Sequence, residues 1–431
     1  MKLAGRISAV IDILSDFDAR RVPLKTAIAD WARGARYAGA KDRAWISGLC
    51  LDVLRRRNAL CAAVGGATPR LQALAALHLL WRTPLDDLAQ AAQEEPHGPG
   101  ALSTEERAAL EAAHIDETVS DAPNWIAPMM ERAFGDEAAA EAAALSARAD
   151  IDLRLNTLKA APEKSLQALK TVKAEAIPLL KTAARIAAPD PSEKAPAVTV
   201  IPAFNKGWVE VQDLGSQIAA ATAGDIKGRQ VLDFCAGGGG KTLALAAMME
   251  NTGQLYAYDI DPRRLKPLFH RAKRAGVRNL QVRTPAGGES LDGLAGKMDV
   301  VFVDAPCTGA GTWRRHPDTK WRLTEKQLAR RMEEQDAVLR DAARFVTPGG
   351  RMVYVTCSVF MEENEDRIAA FLKEHDGFSM RPAFDEIAAS GLFDEAHSDI
   401  LKACETPEGA LRLTPHRAGT DGFFIASLVC H

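Results

Sequence analysis

DFCAGGGGKT, residues 233–242, follows the apolar pair Val231-Leu232 and resembles a phosphate-binding loop. That loop requires a glycine five places before its last glycine. The last glycine is Gly240, and the required place holds Cys235. The dinucleotide fingerprint G-x-G-x-x-G fails as well, because counting from Gly237 puts Thr242 in the final slot. The stretch still lies where a strand gives way to a helix. In an open α/β sheet that edge is where ligands sit. The next strand-like run ends YAYDID, which places Asp259 about twenty residues on, at the spot suited to a ribose. Taken alone, the loop leaves two readings: a nucleoside cofactor without phosphates to cradle, as in S-adenosylmethionine, or a tight turn with no ligand.

Around the loop, strand-like runs alternate with helix-like stretches from residue 229 onward. QVLDF, QLYAYDI, NLQVR, DVVFVDAP and RMVYVTCS predict a parallel, doubly wound sheet, closed by DGFFIASLVC. Residues 1–120 read differently. ISAVIDILSDF, KDRAWISGLCLDVLRRRNALCAAV and RLQALAALHLLW carry apolar residues at helical spacing, and alanine is abundant. QEEPHGPGALST (93–104) reads as a linker, followed by an acidic helical stretch to 148. Between the two lies a small α+β module, with strands expected at 152–158, 195–202 and 208–213 and a helix at 163–172.

The 431 residues suit two or three domains and carry a formal net charge of −3. The distribution is more telling. Residues 86–150 hold fifteen acidic and three basic side chains, whereas 262–283 hold eight basic and none acidic. Residues 313–331 add seven basic against two acidic. Basic segments on an acidic body suit a polyanion, although a solvated helix face has the same composition. The seven cysteines include no C-x-x-C pair, which argues against a disulfide framework and a structural metal and for a reducing cytoplasm. No stretch approaches 18 uncharged apolar residues, so no membrane partner is expected.

Two cysteines stand apart from the rest. DAPCTGAGTWRRHPDTKW (304–321) ends the fourth strand and VTCS (355–358) ends the fifth, which puts Asp304, Cys307 and Cys357 on the same sheet edge as the glycine loop. Such a set suits methylation at carbon 5 of a pyrimidine. That carbon becomes nucleophilic only after a thiolate adds at carbon 6. A carboxyl group can engage ring N3, and a second cysteine can assist elimination.

At these residues the sequence resembles the RNA 5-methylcytosine methyltransferases of the Nop/Sun type, and most closely their bacterial RsmB/Sun branch. VQDLGSQ (211–217), DFCAGGGGKT, YDID (258–261), the block from Asp304 and TCS follow the family's motifs in order over roughly 210–431. KDRAWISGLCLDVLRRR (41–57) is similar to the NusB-like helical domain of that branch. The resemblance implies a multidomain fold. An all-α NusB-like domain with a helical linker spans 1–148, and a small α+β RNA-binding module spans 149–207. A C-terminal α/β Rossmann-like class I methyltransferase domain spans 208–431. It implies Cys357 as nucleophile, Cys307 as the aid to release, and Asp304 beside them. S-adenosylmethionine is expected on Cys235, Ala236, Gly237, Gly238, Gly239, Gly240, Lys241, Asp259 and Asp304. RNA is expected on Arg314, Arg315 and Lys320, with Trp313 and Trp321 either stacking on bases or packing in a core. Small-subunit ribosomal RNA is the first expected substrate and tRNA the second, for a monomeric cytoplasmic enzyme.

The sequence departs from the family in two places. Gly237-Gly238 replace the usual alanine and proline, and RTPAGGES (283–290) offers no acid to an adenine before Glu289. Three readings compete. A nucleotidase lacks its first glycine, and an idle assembly factor would not need both cysteines and Asp304. A DNA cytosine methyltransferase would instead use the cysteine of PC as nucleophile.

Overall fold

In a computed structural model the chain divides into two compact units, described over residues 1–190, 196–285 and 290–431. The first comprises Met1–Arg148 together with Pro189, Asp190 and the distant segment Trp313–Leu323. The second holds most of the rest, including the whole of both sheets.

The first unit is helical. Leu3–Arg20, Leu24–Gly34, Ala40–Arg55 and Arg57–Val64 are its leading helices. Ile7, Val10, Leu14 and Phe17 recur at three- and four-residue spacing and meet Ile46, Leu49, Val53 and Leu60 in one buried cluster. Among the described residues, no single helix is long and apolar enough to cross a membrane.

In the second unit a four-stranded sheet comes first in the chain. Its strands are β1 (Ile151–Leu155), β2 (Glu175–Ala176), β3 (Ala183–Ile186) and β4 (Val209–Val211), in the order β2-β3-β1-β4. The helix Pro162–Leu169 falls where the sequence predicts one. The strand expected at 195–202 does not form. Residue 195 lies outside the described residues, and Val198–Val200 make a single 3-10 turn closed by Ile201 N–H donating to the Val198 carbonyl. Pro196 and Pro202 bracket this run and lack the N–H groups a ladder needs. The small sheet takes β4 from beyond the expected boundary at 207.

The large sheet carries the site. β5 (Gln230–Asp233), β6 (Gln254–Tyr258), β7 (Leu280–Arg283), β8 (Met298–Asp304) and β9 (Val346–Thr356) run parallel. β10 (Phe378–Arg381), β11 (Leu411–Leu413) and β12 (Phe423–Cys430) join antiparallel through β12. The order β10-β12-β9-β8-β5-β6-β7 reverses direction between β5 and β8, which is the topological switch point where such sheets bind ligands. Alternation builds a core on each face. Val231, Val300, Phe302, Val353 and Ile425 pack into one cluster, and Leu232, Val301, Val303, Met352 and Phe424 into the other.

Candidate active site

The loop after β5 is held by its own backbone. Ala236 N–H donates to the Tyr258 carbonyl and Gly239 N–H to the Ala236 carbonyl. Gly237 and Gly239 have φ of +50° and +85°, a region that disfavours side chains. A Cβ on Gly239 would lie 2.3 Å from Leu268 Cδ1. Where proline is usual in the family, the Gly238 carbonyl accepts from Arg271 Nη1 at 2.6 Å. Helix Gly240–Met248 then begins.

Carboxylates sit under this loop. Asp259 is buried and accepts from Gly237 N–H at 3.0 Å and Asp261 N–H at 2.9 Å. The half-exposed Arg264 guanidinium stands 3.2 Å from its Oδ2. Asp233 is fully buried; Oδ2 accepts from the Thr242 hydroxyl at 2.6 Å, while Oδ1 has no hydrogen-bond partner. Burial, then the nearby charges of Asp304 and Asp259, push the Asp233 carboxyl up from 3.8 to about 7. Burial likewise pushes the Cys235 thiol up. Glu289 lies outside the described residues, so no adenine contact is assigned after β7.

The strand ends beyond the switch point bring the two cysteines together. Ala305 N–H donates to the Val355 carbonyl and Gly311 N–H to the Cys357 carbonyl, which ties the loop after β8 to the end of β9. Cys307 Sγ and Cys357 Sγ are 3.4 Å apart, and neither is in a disulfide. The Cys307 thiol is pushed up by its hydrogen bond with Cys357, by burial, and by the charges of Cys357 and Glu363. Lys241 Nζ stands 2.8 Å from Asp304 Oδ2. Burial opposes the lysine's charge, but attraction to Asp304, with Cys357 and Asp233 also contributing, leaves its pKa raised. The glycine loop, Lys241, Asp304, Cys307 and Cys357 therefore occupy one edge of one sheet.

Glu363 is absent from the sequence reading. It is fully buried beside both cysteine loops and binds Thr308, Ser358 and Gln335. The one signal in the sequence is its place six residues after Cys357, in MEEN (361–364), which by itself reads as a solvated acidic turn.

Arg314, Arg315 and Lys320 belong to the helical unit. Arg314 is buried and its carbonyl accepts from Arg55 Nε at 2.9 Å. Lys320 is corrected: it is fully buried, and its ammonium donates to the Arg55 carbonyl at 3.0 Å and to Ser146 Oγ at 3.3 Å. A group so enclosed presents nothing to a phosphate. Trp313 is buried, and Trp321 packs against the helical core with Nε1 donating to the Leu54 carbonyl at 2.6 Å.

Comparison with known proteins adds the lineage. Residues 224–429 match the family described as 16S rRNA methyltransferase RsmB/F. The probable ribosomal RNA small subunit methyltransferase B of Synechocystis is 31% identical over 71% of this chain and 66% of its own length. The ribosomal RNA small subunit methyltransferase B of Photorhabdus laumondii is 32% identical over the same shares. The alignments thus span slightly under two thirds of each relative. Among solved structures, PH0851 superposes with a TM-score of 0.73 at 26% identity, covering 100% of this chain and 99% of that one. NSun6 from Pyrococcus horikoshii, solved with SFG, shares the fold at 22% identity and a TM-score of 0.60, over 72% and 98%.

Proposed function

The chain belongs to the RsmB/Sun-type methyltransferase family, and from that premise we propose that it methylates carbon 5 of a cytosine in RNA, with S-adenosylmethionine as donor and small-subunit ribosomal RNA as substrate. The observation that carries the reading is the 3.4 Å contact between Cys307 and Cys357 beside the Lys241–Asp304 pair.

The cofactor fits the residues present. The unpartnered Oδ1 of Asp233 leaves a buried acceptor beneath the glycine loop. Gly237 and Gly239 keep the loop free of side chains, and Asp259 is the carboxylate for the ribose. Exposed Arg264, now paired with Asp259, can yield to those hydroxyls. When bound, S-adenosylmethionine supplies the methyl group that carbon 5 takes up.

The chain's own residues do the rest. The target base leaves its stack to reach the strand ends. Cys357, within electrostatic reach of the Lys241 ammonium, adds as thiolate to carbon 6, forming a sulfur–carbon bond. The electron pair of the 5,6 double bond moves into the ring, and N3 takes up the proton that the Cys357 thiol gives up, its N–H then donating to Asp304. Lys241 holds that carboxylate in place. After methylation the carbon 5 proton leaves to a base, N3 gives back its proton, the double bond re-forms, and the Cys357–carbon 6 bond breaks to return the thiol. Cys307, held as a thiol, assists this last step. Exposed cations on helix Pro262–Ala275 hold the flanking backbone.

The two cysteines are tested separately. Cys307→Ala should still attack and so accumulate an RNA–protein complex that survives a denaturing gel. Cys357→Ala should be inactive with no complex, and the double variant should also show none. A trapped complex from Cys357→Ala alone would reverse the roles; full activity in both would end the covalent reading. Bisulfite sequencing of ribosomal RNA from a deletion strain identifies the nucleotide.

A further inference from the structure

The residue following each of the two cysteines ends on the same carboxylate. Thr308 donates to Glu363 twice, from N–H to Oε1 at 2.8 Å and from its hydroxyl to Oε2 at 2.5 Å. Ser358 donates its hydroxyl to Oε2 at 2.5 Å. Gln335 Nε2 donates to Oε1 at 3.0 Å and to the Pro306 carbonyl, one residue before Cys307, at 2.9 Å. We infer that Glu363 is a positioning residue: one buried carboxylate ties the loop after Cys307 to the loop after Cys357 and thereby fixes the contact between the two sulfurs. The inference rests on the proposed cysteine chemistry for its consequence, though not for its geometry.

The residue type fits the task. An ionised carboxylate is acceptor-only, with about four lone-pair sites. Four donors from three segments fill them here. An amide at this place would offer one oxygen and one NH2 group, so hydroxyls that now donate would have to turn and accept. It would also lose the charge that makes such bonds about twice as strong as neutral ones. Glu363 is itself anchored, because its carbonyl accepts from the buried Tyr354 hydroxyl at 2.8 Å. The next residue repeats the tie on the β9 side: Asn364 Oδ1 accepts from the Thr356 hydroxyl at 2.5 Å, and its Nδ2 donates to the Ser358 carbonyl at 3.1 Å. Burial raises the Glu363 carboxyl against the pull of its donors. Glu363 makes no ion pair among the described residues, so its hydrogen bonds are what compensate its charge. A role confined to stabilising the fold would not require that the donors flank both sulfurs.

The consequence separates the two half-reactions. Attack needs only Cys357 and the base, whereas release needs Cys307 held at a fixed distance from Cys357. Loss of the tie should therefore slow release more than attack.

The test uses the full chain and two readouts. The first needs no RNA. Diamide takes two electrons and two protons from a neighbouring thiol pair, leaving a disulfide and a hydrazine, so the rate of Cys307–Cys357 bond formation, followed by peptide mass spectrometry, reports how often the sulfurs meet. Glu363→Gln should slow it at least tenfold while circular dichroism stays native. The second readout is turnover on RNA: kcat should fall ten- to a hundredfold with KM unchanged, and a covalent RNA complex should persist, as for Cys307→Ala. An unchanged disulfide rate in Glu363→Gln overturns the positioning role, whatever happens to turnover. A slowed disulfide rate in Glu363→Gln, together with no RNA complex from Cys307→Ala, would instead overturn the proposed reaction and leave the positioning intact. If Glu363→Ala fails to fold, the glutamine variant alone decides.

Discussion

The block from Asp304 to Leu323 looks like one motif in the sequence, yet its two halves serve different parts of the molecule. Asp304–Thr312 ends β8 and brings Cys307 to Cys357. Trp313–Leu323 belongs to the helical unit, where Trp321 joins the core and Lys320 is enclosed. Of the basic and aromatic side chains that suggest an RNA surface, Trp321 is here a packing group and Lys320 a capping group. The backbone N–H of Leu24 donates to Asp318, and the Lys320 ammonium caps the Arg55 carbonyl. Composition identifies a residue's chemistry, but burial decides whether a ligand can use it.

Chemistry and packing should fail in different ways. The largest effect is expected at Cys357. Cys357→Ala should lower methyl transfer by at least about a thousandfold, as removal of a nucleophile does elsewhere, with unfolding unchanged in urea. Residual activity within tenfold of wild type would take the nucleophile away from this position. In the second half of the block, Trp321→Ala removes core packing, the bond to Leu54 and a contact with the Arg57 guanidinium. It should cost the helical unit roughly 3–5 kcal/mol and leave cofactor affinity unchanged by calorimetry. Weakened cofactor binding would show that the halves are not separate.

The sequence made one half of this comparison legible and hid the other. β5, β6, β8 and β9 are readable because their alternating apolar residues fill both faces of one sheet, and the order of strand ends then locates the glycine loop and both cysteines. Glu363 is not readable, since its role comes from Thr308 and Gln335, which lie 55 and 28 residues away in the chain. Val198–Val200 misleads because β-branched residues suggest a strand while the flanking prolines deny it a ladder. Lys320 misleads because nothing local shows that Arg55 and Ser146, far back in the chain, enclose it.

Two buried charges sharpen the comparison through pH. Asp233 is raised from 3.8 to about 7, so between those values the folded state holds a proton that the unfolded chain has lost. Its contribution to stability is full below 3.8 and lost as pH rises through 7. Lys320 is lowered from 10.5 to about 7 by burial, so its contribution is full above 10.5 and lost as pH falls through 7. The two units should drift in opposite directions. Asp233→Asn should stabilise the sheet unit by roughly 2–4 kcal/mol at pH 8 and leave it unchanged at pH 3.5. Lys320→Met should stabilise the helical unit by roughly 1–3 kcal/mol at pH 6, where the wild-type ammonium is buried and charged. Hydrogen exchange, read separately for each unit across pH, measures both, and parallel drift would refute the assignment.

The smallest expected effect concerns RNA, and it asks which cations are available to a polyanion. Lys266 and Lys273 are exposed on helix Pro262–Ala275 and form no ion pair among the described residues. On the same helix Arg271 and Arg274 are paired with Glu210. Each phosphate contact contributes about 0.7–0.9 to the slope of log affinity against log salt. Replacing Lys266 and Lys273 together by glutamine should therefore make the slope shallower by about 1.4–1.8. Lys320→Gln should leave the slope unchanged, because the wild-type ammonium is spent on Arg55 and Ser146 and releases no counterion when RNA binds. Fluorescence anisotropy with a labelled ribosomal RNA fragment, titrated at several salt concentrations, separates these outcomes. A slope that responds to Lys320 and not to Lys266 and Lys273 would mean that the helical unit opens to expose its buried lysine, and the division of the 304–323 block into a chemical half and a packing half would fail with it.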